Sequence, residues 1–300
     1  MKTYIKKLLL LPALIAGLGL IPAGRVTAQN YTTLYNFTGL YEPDFTNSDG
    51  AGPEAELILS GNTLYGTTAI GGPGSNKGTV FRVNTDGTGF TNLHSFTGGP
   101  DGGNPEAALI LSGNTLYGTA RSGGSGNSGT VFAVNTDGTG FTVLHGFTAT
   151  SGSPTYINTD GASPSGGLIL SGNTLYGTAI SGGSSGYGTV FAVETSGNNF
   201  ATLYSFTDGS DGSQPIGTLI LADNFLYGTA YTGGSSRDGT VFKVDTAGNN
   251  FATLHSFSSS SSGRLPVAGL ILSGNTLYGT TADGGSGNFG TLFKVDTNGN

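Results

Sequence analysis

The chain has 300 residues, a formal charge of −7 and no cysteine, which excludes disulfides, cysteine-based zinc sites and thiol nucleophiles. Acidic residues outnumber basic ones by 18 to 11, a balance that argues against nucleic acid and anionic lipid as partners. Glycine is abundant but not spaced every third residue, so the chain is not collagen, and its apolar residues recur at fixed places, unlike those of a disordered tract.

The first element in chain order is a targeting segment. Lys2, Lys6 and Lys7 precede an apolar stretch from Leu8 to Ile21, and Val26-Thr27-Ala28 offers a small-residue cleavage pattern before Gln29. That is the layout of a signal peptide over residues 1–28, and the apolar stretch is shorter than the ~20 residues a spanning helix needs. The expected localisation is secreted or cell-surface. Cleavage removes four basic residues and leaves seven against eighteen acids, a charge of −11. No later segment is apolar and long enough to predict a transmembrane helix.

Residues 29–300 read as a single repeat domain. Leu-Tyr-Gly occurs at Leu64, Leu116, Leu175, Leu226 and Leu277, at intervals of 52, 59, 51 and 51 residues. Each copy, from about residue 53 onward, predicts four strands. In the first copy these are Leu57–Leu59, Leu64–Thr68, Thr79–Val83 and Phe90–Phe96. The turn Ser60-Gly61-Asn62 joins the first two, a glycine-rich loop at 71–78 the next two, and Asn84 to Gly89 the last two. The continuous run Leu57-Ile58-Leu59 suits a strand buried on both faces. No segment has a capped helical period.

Four short strands per fifty-odd residues is the blade pattern of a β-propeller, so the expected fold is all-β and five-bladed. A β-helix or open β-solenoid, or a fragment of a larger propeller, are the alternatives. The N-terminal segment 31–37 (Tyr-Thr-Thr-Leu-Tyr-Asn-Phe) matches the fourth strand of the repeat, as in 251–257 (Phe-Ala-Thr-Leu-His-Ser-Phe), and the fifth copy stops before its own fourth strand. This predicts ring closure, with 31–37 paired to Thr291–Val295, and a monomer.

The recurring "LILSGNTLYGT", glycine-pair loop, "GTVFxV" and "FxxLHxF" resemble the GloVer (Gloeo_Verruco) tandem-repeat family of bacterial exported proteins. The resemblance covers the whole chain after residue 28 and implies no catalytic residues. Strand order and the glycine pair also resemble kelch blades.

Residues with chemical potential fall at repeat-equivalent positions. His94, His145 and His255 alternate with Tyr35 and Tyr204, so the position wants a half-buried ring with a polar tip, not a catalytic or metal-binding histidine. Asp49, Asp101, Asp160 and Asp211 each open a "DG..P" turn, with Ser262 in the fifth copy. A turn explains this better than a calcium site, which needs six to eight oxygens. The glycine-rich loops lack the lysine and helix start of a phosphate site, and no hydrolase elbow or zinc motif occurs. No catalytic residue, metal or cofactor is expected.

Positions that differ between copies carry more information. Lys77, Ser128, Tyr187, Asp238 and Phe289 precede the Gly-Thr of strand three, while Ala69, Arg121, Ile180, Tyr231 and Ala282 end strand two. An insertion, Ala149 to Thr159, lengthens the connector between the second and third copies. Arg121, Tyr187, Tyr231, Asp238 and Phe289 are the expected ligand-binding residues, on one face, with a glycan or a surface protein as partner. A non-catalytic binding or structural module is the leading reading. The rival is a glycan-cleaving hydrolase, which would need a carboxylate pair such as Asp238 and Asp283.

Overall fold

The computed structural model describes residues 31–259 and 262–299; the expected signal peptide lies outside the described residues. Every described strand lies in one compact unit that begins at Leu34.

Blade 1 comprises β1 (Ile58–Ser60), β2 (Thr63–Thr68), β3 (Thr79–Asn84) and β4 (Thr91–Ser95). Blade 2 is β5 (Ile110–Ser112), β6 (Thr115–Ala120), β7 (Thr130–Asn135) and β8 (Thr142–Gly146). Blade 3 is β9 (Ile169–Ser171), β10 (Thr174–Ala179), β11 (Thr189–Glu194) and β12 (Ala201–Ser205). Blade 4 is β13 (Ser213–Pro215), β14 (Ile220–Ala222), β15 (Phe225–Thr232), β16 (Thr240–Asp245) and β17 (Ala252–Ser256). Blade 5 has β18 (Ile271–Ser273), β19 (Thr276–Thr281) and β20 (Thr291–Asp296). Each sheet is an antiparallel meander; β13 is an addition on β15, and among the described residues blade 5 has three strands.

Local chemistry sets these elements. Two-residue hairpins join the first and second strands: Gly61 takes φ 57°, and in blade 4 Asp223 and Asn224 replace Gly-Asn at φ 49° and 64°. A bulge recurs between strands three and four: Val80 faces His94 while Phe81 faces Asn92, which leaves Leu93 unpaired in the ladder. Leu93 and its counterparts Leu144 and Leu254 are buried, so the bulge turns an apolar side chain toward a neighbouring blade.

The core lies between blades. Tyr65, Val80 and Phe96 of blade 1 pack with Leu109, Leu116 and Phe132 of blade 2, and the same set recurs between blades 2 and 3, 3 and 4, and 4 and 5. The strand-two glycine makes room for it. A Cβ on Gly66 would lie 2.6 Å from Leu57 Cδ2 and 2.7 Å from Phe81 Cζ, so only a bare backbone lets the strand-three phenylalanine lie across the sheet.

Two expectations are corrected. Strand one is not buried on both faces throughout. Its Ile58 packs toward the following blade, and Leu109, Leu168, Leu219 and Leu270 are buried against the preceding one, but Leu57 and Leu59 of blade 1 are exposed. Among the described residues no blade precedes them.

Nor is the ring closed. Residues 34–37 form no strand and do not pair with 291–295; β20 pairs only with β19, and Leu292 is 80% exposed. The segment packs instead on blade 1, where Tyr35 stacks on Phe90 at 3.8 Å and Phe37 meets Phe81 edge-on at 5.3 Å. Its anchoring comes from stacking across a joint, and joints are local.

Candidate functional site

The blade connectors and the strand-two-to-three loops meet at one end of the sheets. Ala51 pairs with Ile70, Gly103 with Ser122, Ala162 with Ser181 and Arg264 with Asp283, and in blade 4 the connector becomes β13, paired with β15.

The joint between blades explains which of these residues vary. Asn104, Ser163, Gln214 and Leu265 each donate their N–H to the carbonyl of Lys77, Ser128, Tyr187 and Asp238 of the preceding blade, at 2.7, 2.8, 2.9 and 2.9 Å. All four donors sit at φ between 56° and 59°, immediately before a proline. A left-handed conformation there is costly and persists because the joint needs that N–H. The glycine after the carbonyl residue is fixed as well, since a Cβ on Gly129 would lie 2.5 Å from Pro164 Cδ. The joint therefore uses the backbone carbonyls of Lys77, Ser128, Tyr187 and Asp238, and that contact leaves their side chains free to differ.

The histidine and aspartate positions form a structural clamp. Tyr35 Oη donates to Asp49 at 2.8 Å and Tyr204 Oη to Asp211 at 3.1 Å; His94 and His145 bond Asp101 and Asp160 through Nε2 at 3.2 and 2.9 Å. The same carboxylates accept the backbone N–H of Thr38, Thr97, Thr148 and Thr207. Each His or Tyr ring stacks face to face on the phenylalanine that opens strand four of the next blade, at 3.5–3.8 Å. Burial pushes the Asp160 carboxyl upward, but hydrogen bonds from His145 and Thr148 outweigh it and hold it below the usual carboxylate range. Burial, with the bonded Asp49, pushes the Tyr35 hydroxyl up to about 12. His94 is pushed down by burial, against the pull of Asp101. These groups hold the connector to strand four.

Of the five expected binding residues, one lines a notch at this end. Tyr187 lines a notch of about 320 Å³ with Ser128, Tyr156, Ser163 and Gln214; the other four are not among its lining residues. Arg121 is paired with Glu106 at 3.1 Å, Tyr231 is half-buried within β15, and Phe289 is 94% exposed. Asp238 accepts the Ser259 N–H at 2.7 Å. Asp283 is bonded by Arg264 Nε at 2.9 Å, and the Gly284 N–H and Arg264 keep its carboxyl ionised below the usual range. Each of these two carboxylates thus has a local structural partner, and Asp283 is a poor proton donor for glycoside cleavage. Among the described residues no three His, Cys, Asp or Glu side chains could hold a metal ion, and no helix is long and apolar enough to cross a membrane.

Sequence reasoning missed three features of this end. Tyr156 belongs to the 149–159 insertion, which closes on itself through paired hydrogen bonds between Ser151 and Ile157. Gln214 enters the notch from the next connector. The connector before blade 1 is long as well: Asn47 and Asn158 make matching clamps, accepting from Gly50 and Gly72 and from Gly161 and Gly183 respectively. The spacing from Thr38 to Asp49, against Thr97 to Asp101, was the legible signal.

A five-bladed, open propeller with variable connectors and uniform strands defines a repeat-propeller module. The sequence matches the Gloeobacter/Verrucomicrobia repeat over residues 25–159 and 153–300, and the chain belongs to that family. No curated protein matches it. Among solved structures it is similar to the Niastella koreensis GH74 enzyme, at 18% identity and a TM-score of 0.52, over 83% of this chain and 37% of that one. It is similar also to a nidogen/laminin complex chain (16%, TM-score 0.48, 76% and 72% covered). A third is PorZ, a Porphyromonas gingivalis type-IX secretion component (15%, TM-score 0.48, 83% and 33% covered). At these identities the likeness shows the propeller fold alone.

Proposed function

We propose that this protein is an exported binding module that takes a glycan in the notch between the 149–159 insertion and Tyr187. The observation that carries the reading is the chemistry of the lining. Two tyrosine rings stand among the hydroxyl and amide groups of Ser128, Ser163 and Gln214, with no charged side chain. Rings offer flat apolar area to a sugar face, and neutral hydroxyls and amides bond its hydroxyls. The notch depends on an insertion that one connector supplies, so the reading predicts one site per chain instead of five equal ones. Arg121, Tyr231, Asp238 and Phe289 would extend recognition only for a ligand larger than the notch. A glycan array with the secreted protein, followed by titration calorimetry on any hit, tests this. Tyr187→Ala or Tyr156→Ala should weaken binding by ~1 kcal/mol or more. About five equivalent sites, indifferent to both substitutions, would overturn it.

A further inference from the structure

The connector into blade 4 carries a chain of side-chain hydrogen bonds that ends on Gln214, a lining residue of the notch. Ser213 Oγ donates to the Asp208 carboxylate at 2.7 Å, the hydroxyls of Ser213 and Thr232 share a bond of 2.8 Å, and Thr232 Oγ1 lies 3.4 Å from Gln214 Oε1. In sequence the other connectors place Ala51, Gly103, Ala162 and Arg264 where blade 4 has Ser213, and Ile70, Ser122, Ser181 and Asp283 where it has Thr232. No other copy has a hydroxyl at both positions, so the framework does without this pair.

The protons of this chain can be counted. A hydroxyl has one to give and an ionised carboxylate has none. Asp208 takes the Ser213 proton, so the bond between the two hydroxyls uses the Thr232 proton. Thr232 then has only lone pairs to offer Gln214, and an amide with Oε1 toward it leaves the chain one proton short. The two ends of a glutamine amide have the same shape and are told apart by their bonds. Turned over, with Nε2 on Thr232, the amide closes the count, and Oε1 is the end left to meet a ligand. Two other lining hydroxyls have spent their protons as well: Ser128 Oγ donates to the Gly126 carbonyl at 3.2 Å and Ser181 Oγ to the Ala162 carbonyl at 3.3 Å. The N–H groups of Ser163 and Gln214 are taken by the joints.

We infer that Asp208, Ser213 and Thr232 are positioning residues of the notch, which hold the Gln214 amide with Nε2 on Thr232 and Oε1 toward the ligand, so that the site selects a sugar bearing an acetamido group. The inference rests on the glycan reading of the notch. An acetamido N–H can only donate, whereas a sugar hydroxyl turns to suit either sense of the amide. The acetamido sugar is therefore the ligand whose binding depends on the direction of this chain. Ser128 and Ser181 offer it further acceptors, and its methyl group suits the face of a tyrosine ring. The carboxylate of Asp208 sets the direction from outside the notch: it is not among the lining residues and touches Ser213 instead.

The test uses the scarcity of glutamine. Gln29 and Gln214 are the only two in the chain, so labelling glutamine side chains with nitrogen-15 gives two amide signals, and Gln29→Ala assigns them. In the ligand-free protein the Gln214 Nε2 protons should show nuclear Overhauser contacts to the Thr232 Hβ and methyl protons. Ser213→Ala, which matches Ala51 and Ala162, should leave the circular dichroism spectrum unchanged, free the Thr232 proton and weaken those contacts. In titration calorimetry the parent should bind an N-acetylglucosamine trimer roughly 3- to 10-fold more tightly than a glucose trimer, and Ser213→Ala should bring that ratio toward one. A parent in which the Gln214 Nε2 protons do not meet Thr232, or contacts that Ser213→Ala leaves unmoved, would overturn the positioning role. With the contacts as expected, equal binding of the two trimers, or none, overturns the acetamido selection. A glycan array without any hit overturns instead the reading of the notch on which that selection rests, while the amide orientation stands.

Discussion

Blades 4 and 5 are built from nearly the same residues and live in different surroundings. Tyr227 and Thr229 of β15 are buried, at 4% and 2%, while Tyr278 of β19 is half-buried and Thr280 exposed. Phe242 is sealed and Phe293 is half open. The hydrogen-bonded pairing of the two sheets is the same: Gly228 faces Phe242 and Gly279 faces Phe293. A blade thus takes its hydrogen bonds from itself and its burial from its neighbour, and the energetic unit of this molecule is the joint. Repeat arrays follow this rule, with stability distributed over nearest-neighbour interfaces.

The largest expected effect probes that difference. Phe242→Ala should cost ~3–5 kcal/mol by loss of a sealed aromatic, and Phe293→Ala less than half as much, read from urea unfolding midpoints. Equal costs would break the comparison. Next come the glycines. A Cβ at Gly228 would lie 2.7 Å from Phe242 Cζ and 2.8 Å from Leu219 Cδ2, with a neighbouring blade behind both. Gly228→Ala should cost ~1–3 kcal/mol through overpacking. Gly279→Ala, though its Cβ would lie 2.5 Å from Phe293 Cζ, should cost less because that ring can swing outward.

The clamp gives a smaller, opposite test. Blade 5 has Ser262 where the other connectors have aspartate, and its Oγ accepts the Ser258 N–H at 2.9 Å. Ser262→Asp should give His255 a carboxylate partner, raise its pKa in an NMR titration, and stabilise the fold by ~0.5–1 kcal/mol. A fall in stability would mean that the serine turn of this connector has a geometry the aspartate cannot share.

These contrasts mark what was legible in the sequence. Strand positions followed from Leu-Ile-Leu, the Gly-Asn turns and the recurrence of Leu-Tyr-Gly, because hydrogen-bonded pairing within a blade is local. The His/Tyr position was legible because its interchange expressed one requirement, a ring with a polar tip. The mismatch in closure was not, since the match of 31–37 to strand four is true of the joint it makes with blade 1 and says nothing about β20. The variable positions before Gly-Thr were visible as variable, but the cause, a joint that uses their carbonyls, required the joint hydrogen bonds of Asn104 and its counterparts. Tyr156 and Gln214 come together with Tyr187 only through an insertion and a neighbouring connector, and no spacing along the chain encodes that meeting.

The smallest expected change concerns the same clamp in blade 1, and its sign is worth more than its size. His94→Tyr should alter stability near pH 7.5 by about 0.5 kcal/mol or less, because tyrosine already serves at 35 and 204 with the same stack and the same carboxylate contact. The pH profile should nevertheless move. His94 is held below its ordinary value by burial, so the unfolded chain takes up the proton first. The stability His94 contributes is present above about pH 6.5 and is lost as pH falls through the folded value. A tyrosine in this clamp is displaced the other way, as Tyr35 is, to about 12. Its contribution is complete below about pH 10 and is lost as pH rises toward the folded value. The substitution should therefore flatten the unfolding midpoint between pH 5 and 7 and steepen its fall between pH 10 and 12. If the limb between pH 5 and 7 is unchanged, the histidine is a passive member of the clamp, since Asp160 and Asp49, whose carboxyls are held below the usual range, lose their contribution only below about pH 4.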